Sequence, residues 1–191
     1  GKSTLLLQVC RNLAANGQKV LYISGEESLK QIKLRANRIG AVTGQLLFLC
    51  ETSLEIIQET IRETKPDVVI AVDALAARST RRLNRTIQIT DTGITPGSGV
   101  ENHRNGLTEE NLKVKVIGIG VPTVVDAATI VHDSMAHLLD ALEESEQKEF
   151  LEEMIPPALY SMFVTPKDVD ETIKYLSYTI SEGLNLAFSR F

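Results

Sequence analysis

The chain has 191 residues, with 20 Lys and Arg against 25 Asp and Glu, a formal net charge of −5; this removes any electrostatic ground for nucleic-acid binding by the surface as a whole. Apolar residues at 43% and charged residues at 24% suit a soluble globular protein with room for a real core. Cys10 and Cys50 form no C-x-x-C pair, no secretory signal opens the chain, and no apolar run reaches the ~20 residues of a membrane span, so a reducing cytoplasm is the expected setting and zinc chemistry is not.

In chain order, residues 2–16 predict a helix with Leu5, Leu6, Val9, Cys10 and Leu13 on one side and Asn16-Gly17 as its stop. Residues 19–24 (KVLYIS) predict a short buried strand. A second helix follows Gly25, with Leu29, Ile32, Ala36 and Ile39 facing inward and Gly40 at its end. Residues 46–50 (LLFLC) predict the next strand. Thr52 and Glu55 have the spacing of a capping box, after which Leu54, Ile57 and Ile61 face inward as far as Pro66. Residues 67–73 (DVVIAVD) form a nearly uninterrupted apolar strand ending at Asp73. Continuous apolar strands separated by helices predict a parallel sheet covered on both faces.

Residues 86–90 (TIQIT) alternate as an edge strand does. Residues 91–113 are rich in Gly, Asn and charge, and residues 114–121 (VKVIGIGV) predict another buried strand. Pro122 onward predicts a helix to about Leu142, then a charged stretch and a short helix to about Ile155. Thr165-Pro166 predicts the start of the last helix, with Val169, Ile173, Leu176, Ile180 and Leu184 on one face. The fold class that follows is α/β, a three-layer α/β/α sandwich with a mostly parallel central sheet.

Gly1-Lys2-Ser3-Thr4 running into a helix is the second half of the P-loop pattern G-x-x-x-x-G-K-[ST]. Gly1 lets backbone approach a phosphate, Lys2 supplies charge, Ser3 reaches Mg²⁺, and the helix start adds amides. Asp73, at the end of an apolar strand, has the Walker B character. Glu26 or Glu27 after the strand 19–24 suits a residue that orients attacking water. The strand and first five loop residues of a P-loop do not precede Gly1, so only weak residual phosphate or nucleotide affinity is expected. Mg-ATP, with Ser3 and Asp73 on the metal, requires the loop to be completed upstream; otherwise no cofactor is expected.

The run GKSTLLLQVCRNLAANGQKVLYISGEESLKQIKLRANRIG, continued by LLFLCETSLEIIQETIRETKPDVVI, resembles the ATPase core of the bacterial RadA (Sms) DNA-repair family over residues 1 to about 70. That resemblance implies a RecA-like fold, with Lys2 and Ser3 on phosphate and magnesium, Glu26 activating water, and Asp73 as the Walker B acid. It carries neither the family's zinc module nor its DNA-binding loops, so DNA is not an expected partner. From about Pro66, AVDALAARSTRRLNRTIQITDTGITPGSGVENHRNGLTEENL, VKVIGIGVPTVVDAATIVHDSM and MFVTPKDVDETIKYLSYTISEGLNLAF resemble the spore germination protease family over residues 66–191. This second resemblance implies an atypical aspartic peptidase acting on small acid-soluble spore proteins. Asp73 would be a catalytic acid whose partner lies in the family's N-terminal half, and Asp91 and Asp126 are further acids in matching motifs.

The combined reading is a single domain, 1–191, built from an ATPase-like fragment 1–70 and a germination-protease-like fragment 71–191, spliced within KPDVVIAVDA. It describes an engineered scaffold lacking a complete active site. The alternatives are a germination-type endopeptidase centred on Asp73 and an ATPase using Lys2, Ser3, Glu26 and Asp73. No membrane partner is expected; self-association and, for the peptidase, a protein substrate stay open. Arg78, Arg81, Arg82 and Arg85 are read first as a solvated helix face, with a phosphate or acidic-peptide contact as the functional alternative.

Overall fold

The computed structural model describes residues 2–40, 42–94, 106–139, 143, 146–147, 150–151 and 154–188. The chain divides into two compact units, residues 1–67 with 170–191, and residues 68–169. Each unit has its own sheet, and the class is mixed α/β with sheets that are only partly parallel.

In the first unit, α1 (Lys2–Ala15), β1 (Val20–Ser24), α2 (Leu29–Ile39), β2 (Leu46–Cys50) and α3 (Leu54–Thr64) follow in order. Strands β1 and β2 pair in parallel, Val20 opposite Leu46 through Ser24 opposite Cys50. Leu7, Ala14, Tyr22, Ile32 and Leu46 form the core, and Tyr22 meets Phe48 edge-on at 6.1 Å. Helix α1 is buried more widely than one stripe predicts, since Leu7 and Ala14 are buried beside Leu5 and Val9. Leu29, expected inside, is 56% exposed, because it is the first residue of α2 and precedes the turn that packs.

Helix starts are set by serines. Ser28 and Gln31 make a reciprocal capping box on α2, which satisfies amides that no helix carbonyl reaches. Ser53, rather than Thr52, caps α3: its hydroxyl accepts from Ile56 N at 3.5 Å and donates to Glu55 Oε2 at 2.6 Å. The expected Thr52–Glu55 box is therefore displaced by one residue. Lys65 ends α3 in the left-handed conformation, φ 46°, ahead of Pro66. Helix α6 (Val169–Phe188) begins three residues after the predicted Pro166 start. It joins the first unit through Asn185 Oδ1, which accepts from Asn12 Nδ2 at 3.3 Å, and through Phe188 O, which accepts from Gln18 Nε2. Ile180 is buried on its expected apolar face.

The second unit contains β3 (Val69–Ala77), a 3₁₀ turn (Thr80–Arg82), β4 (Gln88–Thr90), α4 (Glu109–Leu112), β5 (Val116–Asp126), α5 (Ala127–Leu139), a second 3₁₀ turn (Pro157–Ser161) and β6 (Phe163–Val164). The strand order is β3-β5-β4, with β6 also on β5. Strands β3 and β5 are parallel, while β4 and β6 run antiparallel to β5. Strand β4 sits at an edge, as expected, but Ile89 is 70% exposed, which its alternation does not predict.

Two strands outrun their sequence readings. Strand β3 continues four residues past Asp73, to Ala77. Strand β5 continues through Pro122 to Asp126, where a helix was expected. Proline lacks a ladder donor and is tolerated in a sheet at irregularities, and the register slips here: Leu75 faces Pro122, yet Ala76 faces Val124. Thr123 is the extra residue of this bulge. The Pro122 carbonyl is used, accepting from Asn84 N at 2.7 Å. The charged stretch after Leu142 and the helix to Ile155 fall largely outside the described residues.

Candidate active site around Asp73

Asp73 lies mid-strand in β3, half-buried, with Gly120 of β5 opposite it. Its Oδ1 accepts from Ala74 N at 2.9 Å. Gly120 has no side chain because Leu75 crosses that position: a Cβ there would meet Leu75 Cδ1 at 2.3 Å. Asp73 thus sits at a closely packed point of the β3–β5 pair, on a strand whose one ladder partner among the described residues is β5.

Asp126 ends β5 and caps α5. Its Oδ1 accepts from Thr129 N at 2.6 Å and its Oδ2 from Thr129 Oγ1 at 2.7 Å, so both oxygens serve the helix start. It stands about five strand steps beyond the level of Asp73, roughly 17 Å along the sheet. Asp91 is exposed in the turn after β4, where Thr92 N donates to Thr90 Oγ1. It is separated from Asp73 by two strand spacings and three residues, roughly 14 Å. Carboxylates that share a proton approach to about 3 Å, so neither residue forms such a pair with Asp73.

A fourth carboxylate, missed in the sequence, organises this unit. Asp133 Oδ2 accepts from Ser79 Oγ at 3.1 Å, Thr80 N at 2.7 Å and Thr80 Oγ1 at 2.7 Å. His132 Nδ1 lies 3.8 Å from its other oxygen. Partial burial disfavours the Asp133 charge, but the Thr80 and Ser79 donors and the neighbouring His132 outweigh it and hold the carboxyl below its ordinary range. The only sequence signal is S-T after a strand, a common capping pair.

The residues assigned to a phosphate site share the first unit; Gly1 lies outside the described residues. Lys2 Nζ pairs with Glu26 Oε1 at 3.2 Å. Thr4 Oγ1 accepts from Arg35 Nη1 at 3.1 Å, and Arg35 Nη2 pairs with Glu27 Oε1 at 2.5 Å. Burial first and the Glu27 charge second raise the pKa of Tyr22, with the Ser3 and Ser24 side chains acting in the opposite direction. These contacts tie the start of α1 to the β1–α2 connection. The Walker reading also needs Asp73 on a sheet edge shared with β1, but β3 pairs with β5 and not with β1 or β2. Among the described residues no cluster of three or more His, Cys, Asp and Glu side chains could hold a metal ion, and no helix is long and apolar enough to cross a membrane.

The second unit is thus mixed α/β, with a half-buried aspartate on its parallel strand pair. Comparison with known proteins narrows this. The family model described as germination protease matches residues 32–143, more than half of the chain. The germination protease of Caldanaerobacter subterraneus subsp. tengcongensis is 45% identical over 150 residues, covering 70% of this chain and 46% of the relative. That of Clostridium perfringens strain SM101 is 37% identical over 198 residues, covering 95% and 58%. That of Bacillus subtilis strain 168 is 35% identical over 209 residues, covering 85% and 55%.

The chain belongs to the germination protease family, and it spans about half the length of these relatives. The two-parent reading is corrected accordingly. The family model begins at residue 32, well ahead of the supposed splice, and the Clostridium relative covers 95% of the chain. No RadA segment is indicated, and the reading as an inactive engineered scaffold with a residual phosphate site falls with it. The physical source of the error is generic: short apolar strands alternating with capped amphipathic helices serve many α/β folds. A GKST helix start adds little to that pattern.

Proposed function

We propose that this chain is part of a germination-type endopeptidase and that Asp73 supplies a catalytic carboxylate. The observation that carries this is the difference among the acids in the matching segments. Asp126 spends both oxygens on a helix cap and Asp91 stands in an exposed turn, whereas Asp73 is half-buried mid-strand. In this reading Asp73 takes a proton from water as the oxygen attacks the peptide carbonyl. A second acid then protonates the departing amine. The substrates are polypeptides of the small acid-soluble spore type.

The test is peptide-bond cleavage of an unstructured protein substrate, followed by mass spectrometry of new termini. Asp73→Asn is expected to lower the rate by at least about 10³-fold, the scale on which a positioned acid–base group contributes. Cleavage that survives this change at full rate assigns the chemistry elsewhere.

A further inference from the structure

The stretch from Ala74 to Thr90 holds four arginines and no acidic residue, in a chain whose net charge is −5. Arg78, Arg81, Arg82 and Arg85 are all exposed. Among the described residues none of the four forms an ion pair. They do not lie on one helix face: Arg78 follows β3 directly, Arg81 and Arg82 lie in the 3₁₀ turn, and Arg85 comes after it.

The backbone that carries them is fixed at two points. On one side Ser79 and Thr80 donate three hydrogen bonds to Asp133. On the other, Asn84, buried and at φ 56°, donates its N–H to the Pro122 carbonyl. Fixing the backbone beforehand lowers the ordering cost of binding, so unpaired guanidiniums on such a segment are better placed than the same charges on a mobile loop. Arg78 follows Asp73 by five residues, roughly 16 Å of extended chain.

We propose that this arginine segment is an exosite that holds an acidic stretch of the polypeptide substrate several residues from the bond cut at Asp73. The proposal deepens the peptidase reading and rests on it. Guanidinium forks match carboxylates two bonds at a time. An extended substrate laid along the end of β3 would reach from Asp73 to Arg78 within about five residues. A nucleic acid fits less well: four positive charges on an acidic molecule give little counterion release, and the segment 74–90 has no aromatic residue on which a base could stack.

The experiment measures binding of a fluorescent glutamate-rich peptide to the full chain by anisotropy, separately from cleavage. The controls are the same peptide with Gln for Glu and a single-stranded oligonucleotide of equal charge. The acidic peptide is expected to bind, to weaken as salt rises from about 0.05 M to about 0.5 M, and to lose about tenfold in affinity in Arg81→Gln/Arg82→Gln. Arg81→Lys/Arg82→Lys is expected to recover part of that loss. Equal binding of the Gln peptide, or unchanged affinity in the Gln variant at an unchanged melting midpoint, would overturn the exosite. So would tighter binding of the oligonucleotide than of the acidic peptide. Salt-sensitive peptide binding without any cleavage would sink the peptidase reading while leaving the acidic-peptide surface in place.

Discussion

Four aspartates of the second unit, Asp73, Asp91, Asp126 and Asp133, have the same chemistry and different occupations, and their surroundings separate them. Asp133 accepts three donors from Ser79 and Thr80, and its folded pKa is lowered. A carboxyl with a depressed folded pKa contributes stability that is present above its unfolded pKa, about 3.9, and is lost as pH falls through the folded value. Denaturant melts of the wild type should therefore lose stability below about pH 4, and Asp133→Asn should flatten part of that loss. At pH 7, Asp133→Ala should cost about 2 kcal/mol, because it strips a charged acceptor from three donors. A variant as stable and as acid-sensitive as the wild type would contradict this role. Cys10 gives an independent check. Burial, partly offset by a backbone hydrogen bond, pushes its thiol up to about 12, so at pH 8 only about one molecule in 10⁴ carries the thiolate that alkylating agents attack. Alkylation of native Cys10 should be slow and become fast on denaturation; rapid labelling of the native chain would show that its packing against the core does not suppress the thiolate.

At the scale of elements, caps and close backbone approaches make the sharpest claims. Ser53→Ala should destabilise by about 1 kcal/mol, the usual cost of an N-cap, whereas Thr52→Ala should cost much less; the reverse order in urea melts would restore the Thr52 cap. Gly93, at φ 86°, brings its backbone so close to the Leu107 segment that a Cβ would stand 2.1 Å from Leu107 O. Gly93→Ala should therefore break the Ile94–Leu107 bridge. The legible elements were those with clean periodicity and punctuation: β1 and β2 match their apolar runs to within a residue, and α3 stops at Lys65-Pro66. Strand β5 was not legible past Pro122, since a proline after an apolar run reads equally as a helix start, and only the bulge at Thr123 reconciles it with a strand. Strand β3 was cut short at Asp73 because ALAA has no β-branched residue to mark it as strand, although pairing with β5 carries it on to Ala77.

Across the whole molecule, the alternation of strand and helix was readable and so was the likeness of residues 66–191 to germination proteases. The assignment of the first 70 residues was not. Their pattern is shared by many nucleotide-binding α/β proteins, and side chains that suggested a phosphate site are engaged within the first unit, Lys2 with Glu26 and Thr4 with Arg35. Asp73 could be singled out from the sequence, but its strand partners could not. The seven-residue run ending at Asp73 suggested an acid at a sheet edge, while the register places it mid-ladder opposite Gly120. The most direct test sets Asp73→Asn beside Asp126→Asn, with cleavage and thermal melting measured on each. Asp73→Asn should abolish cleavage with an unchanged midpoint, and Asp126→Asn, which leaves an asparagine able to cap α5, should retain cleavage. Cleavage retained without the Asp73 carboxylate and lost without that of Asp126 would contradict the division of labour described for these acids.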